Sequence, residues 1–252
     1  LYKFQIISGN YKGALVTIKN SKKDASKEEN IYMDLYRLYV KAKTSSNFKE
    51  TFTQLYKNYV INADDFHVLH LDDILISRDG TDYFIADFRK TYENITTEII
   101  SIETAQNLVK KYFLKTVYVS TRNLFFKEIK QDHKRRYIIN DSILIPTKDG
   151  AEVSVVVIQQ KETASTKKSA ILIASIYAGT NEAGAMLSAS KGYVGVITNT
   201  RGKRLSSGEV KPFIYENTDV YDVIDWISKQ PWSNQKVGMY GGSYNGFTQW
   251  AT

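Results

Sequence analysis

The stretch Val237-Gly238-Met239-Tyr240-Gly241-Gly242-Ser243-Tyr244-Asn245-Gly246-Phe247 decides how the rest of the chain is read. A short apolar run leads into a serine with a glycine two residues before it and another soon after. This is a GxSxG-like signature, in which a nucleophilic serine sits on a sharp strand-to-helix turn. Such a turn forces its serine into a sparsely populated backbone region and needs small neighbours, roles open to Gly241, Gly242 and Gly246. Working upstream, strand-like segments fall at 142–145, 153–158, 170–176, 193–198 and 236–240. Several are rich in Val and Ile and continuously apolar, as strands buried on both faces of a mostly parallel sheet should be. Between the third and fourth, the Ala-rich segment 181–191 ends at Gly192 and predicts a short helix. Between the fourth and fifth, Val220, Val223, Ile224 and Ile227 fall on one helical face that stops before Pro231. Alternating strands and helices imply crossover units, with the serine directly after the fifth strand, where an α/β-hydrolase places its nucleophile.

The same layout locates an oxyanion hole. One donor is the backbone N–H of Tyr244, and the other comes from the loop after the third strand, Ile176-Tyr177-Ala178-Gly179-Thr180, either from its amides or from the Tyr177 phenol. The bland alternative for Tyr177 is a core tyrosine. Hydrolases with this elbow run Ser, then Asp or Glu, then His, whereas the histidines here, His67, His70 and His133, all precede Ser243. The triad Asp and His are therefore expected downstream of Thr252, and this chain by itself is expected to be inactive. Asp219, Asp222 and Asp225 lie ahead of the serine and are poor candidates for the triad acid. Trp232 and Trp250 read as core, and Arg201 as a structural pin for the loop after the fourth strand.

Four ordered blocks carry a more specific signal. They are Ile145-Pro146-Thr147-Lys148-Asp149-Gly150-Ala151; Tyr177-Ala178-Gly179; Arg201-Gly202 with Ser207-Gly208-Glu209; and Asp225-Trp226-Ile227 running through Gln230-Pro231-Trp232-Ser233 to the elbow. Residues 141–252 resemble, on these blocks, the cocaine-esterase-like and Xaa-Pro dipeptidyl-peptidase-like (peptidase S15 type) serine hydrolases, a group that includes glutaryl and α-amino-acid ester acylases. The resemblance implies Ser243 as nucleophile, Tyr244 as backbone oxyanion donor and Tyr177 as side-chain oxyanion donor, with no cofactor and no metal. It also implies further strands, a helical cap and a C-terminal β-sandwich. Two positions depart from the family pattern: Asn199 stands where an Asp usually precedes the Arg-Gly pair, and the early loop reads Ile-Tyr-Ala-Gly rather than Pro-Tyr-Gly.

The expected fold class is thus α/β, the N-terminal portion of an α/β-hydrolase sheet in residues 141–252. A smaller, helix-rich mixed α+β accessory domain precedes it in residues 1–140. In the latter, Ile31, Leu35, Leu38, Tyr39 and Ala42 mark one amphipathic helix, and Phe52, Leu55, Tyr56 and Tyr59 a second, forming a hairpin. A third runs from the N-cap Ser101. Strand-like pieces fall at 4–7, 14–18, 74–76 and 83–87, the last two around an Arg78-Asp79-Gly80 turn. His67 and His70 stand among Asp64, Asp65, Asp72 and Asp73, and read as a polar surface loop rather than a metal site.

The chain's 252 residues are 42% hydrophobic, which suits globular structure. Its net charge of +7 lies mostly in residues 1–140, with 23 basic against 17 acidic side chains, compared with 11 against 10 in the remainder. These lysines are scattered as solvated faces, so nucleic acid is not an expected partner. A small ester, amide or short peptide is. The chain has no cysteine and hence no disulfide framework, which is compatible with an exported protein. No apolar run approaches the ~20 residues that span a bilayer. A competing reading is a non-catalytic protein that keeps the fold for binding or scaffolding.

Overall fold

The computed structural model describes residues 1–76, 80–177 and 182–252, with 74–76 and 80 described by backbone alone. The chain forms two compact units, Leu1–Asp132 and His133–Thr252. The first is helical throughout its described residues. Its elements are α1 (Tyr2–Ile7), α2 (Tyr11–Ser21), α3 (Lys27–Lys43), α4 (Phe48–Asn62), α5 (Asp65–Ile76), α6 (Gly80–Glu93), α7 (Ile102–Thr121) and most of α8 (Phe126–Arg136).

Local sequence accounts for several helix ends. Ser26 opens α3 through a capping box, its hydroxyl accepting from Glu29 N–H while the Glu29 carboxylate accepts from Ser26 N–H. Ser101 caps α7 by accepting from Thr104 N–H, as its position ahead of the apolar stripe predicts. The α3 stripe of Ile31, Leu35, Leu38, Tyr39 and Ala42 is buried, and it packs with Phe52, Tyr56, Phe113 and Phe125. Aromatic pairs fill this core, among them Tyr36 edge-on to Phe113 at 4.7 Å and Phe84 stacked on Tyr118 at 4.3 Å.

The mixed α+β expectation for this unit is corrected here. Segments 4–7, 14–18, 74–76 and 83–87 are helical, and no strand occurs among the unit's described residues. Short apolar runs have no length over which a period of 2 can be told from one of 3.6. In α2 the buried pair Ala14 and Ile18 stands four apart, the helical spacing. Of the expected turn Arg78-Asp79-Gly80, the first two residues lie outside the described residues and Gly80 begins α6. His67 and His70 are also on a helix, α5, not in a loop. His67 donates its backbone N–H to Asp64 Oδ1, and the His70 ring stacks on Phe66 at 5.8 Å.

The second unit is a five-stranded sheet of β1 (Tyr137–Pro146), β2 (Glu152–Gln160), β3 (Lys168–Ser175), β4 (Val194–Asn199) and β5 (Ser233–Met239), in the order β1-β2-β4-β3-β5. The β1–β2 and β2–β4 ladders are antiparallel, whereas β3–β4 and β3–β5 are parallel. The sheet is therefore mixed, its parallel half carrying the crossovers. Helix α9 (Glu182–Ser190) joins β3 to β4, α10 (Glu216–Ser228) precedes β5, and α11 (Tyr244–Ala251) follows it.

Both sheet faces are covered, which is why β2 and β4 read as continuous apolar runs. Val153, Val155, Val157, Leu172, Val194 and Val196 pack against Val220, Val223 and Ile227 of α10. On the opposite face α9 approaches β4 so closely that a Cβ on Gly195 would lie 2.1 Å from Ala185 O. Trp232 is half-buried against the α10 core, but Trp250 is 93% exposed, contrary to the core reading. The buried residues of α11 are Tyr244 and Thr248. A side chain two positions beyond Thr248 is turned through about 200° and faces away from the sheet.

Candidate functional site

Strand β5 delivers the chain to Gly241, and α11 begins at Tyr244, so the serine stands at the N-cap between them. Ser243 has φ 54° and ψ −129°, a conformation rare for an L-residue and worth about 1–3 kcal/mol of strain. Gly241, at φ 153°, is the glycine the turn needs. A Cβ placed on it would lie 2.5 Å from the Cβ of Asn245. The second glycine stands at 246, three residues after the serine, so a strict GxSxG is not met. Asn245 occupies the place two after Ser243, and its side chain fits because Gly241 opposite has none. At Gly246 the demand is milder, with an added Cβ 3.3 Å from Gly241 O.

Tyr177 stands just after β3, with its N–H donating to Ser175 Oγ at 3.0 Å. Its hydroxyl lies 3.3 Å from Ser243 Oγ across 66 residues of sequence. At 44% exposed it is not a core tyrosine. The rest of that loop, Ala178-Gly179-Thr180, lies outside the described residues, as do any amides it offers. The N–H of Tyr244 belongs to the first turn of α11, where backbone donors have no intrahelical acceptor. The two tyrosine rings meet edge to face at 6.5 Å. Ser243 and the side chains of Tyr177 and Tyr244 are therefore gathered at one end of the parallel strands.

The Tyr244 phenol is turned inward. It donates to Glu216 Oε1 and accepts from Phe213 N–H at 3.1 Å. Burial, reinforced by the Glu216 hydrogen bond, pushes its pKa up to about 12. The Phe213 ring lies 5.0 Å from that of Tyr244 and 4.8 Å from that of Phe247, and Phe213 is held at φ 69°. Neither Glu216 nor Phe213 is marked by a motif. Both come to the site through the long loop after β4, which carries no periodic signal.

Beneath this loop, Arg201 is 6% exposed and makes two forked ion pairs. Its Nη1 and Nη2 each donate to Asp149 at 2.8 Å, while Nε and Nη2 donate to Asp219 at 2.8 and 2.7 Å. The guanidinium also lies 4.0 Å over the Tyr215 ring. These hydrogen bonds hold the Asp149 carboxyl well below the usual carboxylate range and the Arg201 guanidinium above its own. Arg201 thus ties together the turn after β1, the loop after β4 and the start of α10. Asp222 accepts from Lys148 N–H at 2.9 Å, and Asp225 pairs with Lys229 at 2.6 Å. All three aspartates of α10 serve structural contacts. Among the described residues no group of three or more His, Cys, Asp or Glu side chains converges as metal ligands, and no helix is long and apolar enough to cross a membrane.

Residues 139–252 match the model of the X-Pro dipeptidyl-peptidase (S15) family. The cocaine esterase of Rhodococcus sp. (strain MB1 Bresler) is 46% identical over 59 residues, which are 23% of this chain and 10% of that protein. Similar solved structures include an α-amino acid ester hydrolase, at 28% identity over 45% of this chain and 22% of its own, with TM-score 0.40. A CocE/NonD family hydrolase from Staphylococcus aureus matches at 22% identity over 46% and 25%, with TM-score 0.41. The chain spans about a tenth of the length of the esterase and a quarter or less of the two solved hydrolases. The resemblance read from the four sequence blocks is borne out over residues 139–252.

Proposed function

We propose, starting from the S15-family match of residues 139–252, that these residues form the nucleophile half of a serine hydrolase acting on ester or amide bonds, including short peptides. Ser243 Oγ attacks the carbonyl carbon and forms an acyl-enzyme, releasing the alcohol or amine. The N–H of Tyr244 and the hydroxyl of Tyr177 donate to the oxygen on which negative charge develops. The proton of Ser243 needs a base. Ser243 Oγ hydrogen-bonds to Tyr177 rather than to a histidine among the described residues, so the base and its orienting carboxylate are assigned to sequence beyond Thr252.

The observation that carries this reading is the pairing of a strained serine, φ 54°, with a phenol 3.3 Å from its oxygen at the C-terminal ends of parallel strands. No metal or cofactor enters the scheme. An activated ester offered to protein made from the complete coding sequence should leave its acyl group on Ser243, seen as a mass shift on the peptide containing residues 237–252. Acylation spread over surface lysines, with none on that peptide, would refute the reading.

A further inference from the structure

A small cavity of about 20 Å³ lies behind the elbow, lined in part by Asn199 and Thr200 at the end of β4, by Glu216 and Asp219 of α10, and by Thr248 of α11. Two of these residues carry a side-chain atom with no hydrogen-bond partner among the described residues: Asn199 Nδ2, a donor, and Glu216 Oε2, an acceptor. Both residues are more than nine-tenths buried. Leaving a buried polar atom without a partner is unfavourable, so two of opposite character on residues lining one cavity are not a neutral arrangement. The volume exceeds the 10–15 Å³ that one water needs, and the walls offer it a donor and an acceptor.

The other oxygen of Glu216 is already committed. Oε1 accepts from the Tyr244 phenol, which in turn accepts from Phe213 N–H at 3.1 Å. A hydrogen-bonded path runs from Glu216 through Tyr244 to Phe213, and Asn199 lines the same cavity as Glu216. The path joins the start of α10 to the first residue of α11, whose backbone N–H follows the serine.

We propose that Glu216 is a positioning residue for the elbow: it anchors the Tyr244 phenol from below while sharing one bound water with Asn199, and so fixes the backbone N–H of Tyr244 beside Ser243. The catalytic meaning rests on the hydrolase reading above; the strut itself does not. Two variants separate Glu216's hydrogen bonding from its bulk. Glu216→Leu removes both oxygens, and Glu216→Gln keeps an acceptor for the phenol.

Amide hydrogen exchange reads the strut directly. In Glu216→Leu the Phe213 amide, which donates to the Tyr244 phenol, should exchange about tenfold faster, as expected for loss of roughly one net hydrogen bond, while amides of β3 and β4 keep their protection. Glu216→Gln should restore most of it. Unchanged exchange at Phe213 in a folded Glu216→Leu protein would overturn the proposal. Should that variant fail to fold, Tyr244→Phe deletes only the hydroxyl, and an unaltered Phe213 amide there would overturn it equally. A crystal structure without a solvent peak between Asn199 Nδ2 and Glu216 Oε2 would contradict the shared water. Labelling of Ser243 by a fluorophosphonate keeps the two readings apart. Faster exchange in a protein whose wild type never labels supports the strut and refutes the hydrolase, whereas a labelling rate unaltered by Glu216→Leu refutes the positioning role.

Discussion

Tyr177 is the residue on which sequence and geometry meet most closely: its position after the third strand nominated it, and its hydroxyl lies 3.3 Å from Ser243 Oγ. Loss of one oxyanion donor costs about 10²–10³ in turnover. Tyr177→Phe should slow acylation of Ser243 by that factor with the melting temperature nearly unchanged, since the side chain is 44% exposed; wild-type turnover would remove Tyr177 from the mechanism. Gly241 behaves oppositely. Gly241→Ala places a methyl 2.5 Å from the Asn245 Cβ at a φ of 153°, and it should cost about 1–3 kcal/mol in urea denaturation. The elbow was legible because its demands are local in sequence. Glu216 and Asp149 were not, because each meets its partner across a long separation, 28 residues to Tyr244 and 52 to Arg201. Trp250 was misread for a related reason: which face of a helix is inward depends on what it packs against.

Helices α3, α7 and α10 were legible from their stripes, and α7 also from its cap Ser101, whereas the capping box at Ser26 emerged only in the structure. The cap at Ser26 can be weighed directly. Ser26→Ala removes the hydroxyl that accepts from Glu29 N–H at 3.1 Å and should destabilise the first unit by about 1 kcal/mol; an unshifted unfolding midpoint would show that α3 does not depend on its box. Short apolar pieces such as 4–7 and 83–87 gave strand readings where helices form, because their partners in the helical core are set by packing rather than by local pattern. The elements around Arg201 carry a pH dependence. Asp149 has a depressed pKa in the folded state, so its contribution is present above its unfolded value, about 3.9, and is lost as pH falls through the folded value. The stability gap between wild type and Asp149→Asn should therefore be constant from pH 7 to about 5 and close on acidification below about 4. A gap that widens in acid would contradict the ion pair.

For the whole molecule, the chain divides into a unit that is helical among its described residues and a sheet unit that carries Ser243, Tyr177 and Tyr244. The sheet unit was legible nearly strand by strand, since strands covered on both faces write themselves as Val- and Ile-rich runs. Its mixed character was less so: β2, antiparallel to β4, carries the same apolar pattern as the parallel strands once both faces are covered. Within these bounds the helical unit has 20 basic against 17 acidic side chains and the sheet unit 14 against 10, so the positive excess is shared between them. The central claim, that Ser243 is an activated nucleophile, is tested most directly by treating protein made from the complete coding sequence with a fluorophosphonate probe and locating the adduct by mass spectrometry, with Ser243→Ala alongside. A single adduct on Ser243, abolished by that substitution, is the predicted result; a folded protein that takes no probe, or takes it equally in Ser243→Ala, would contradict the account.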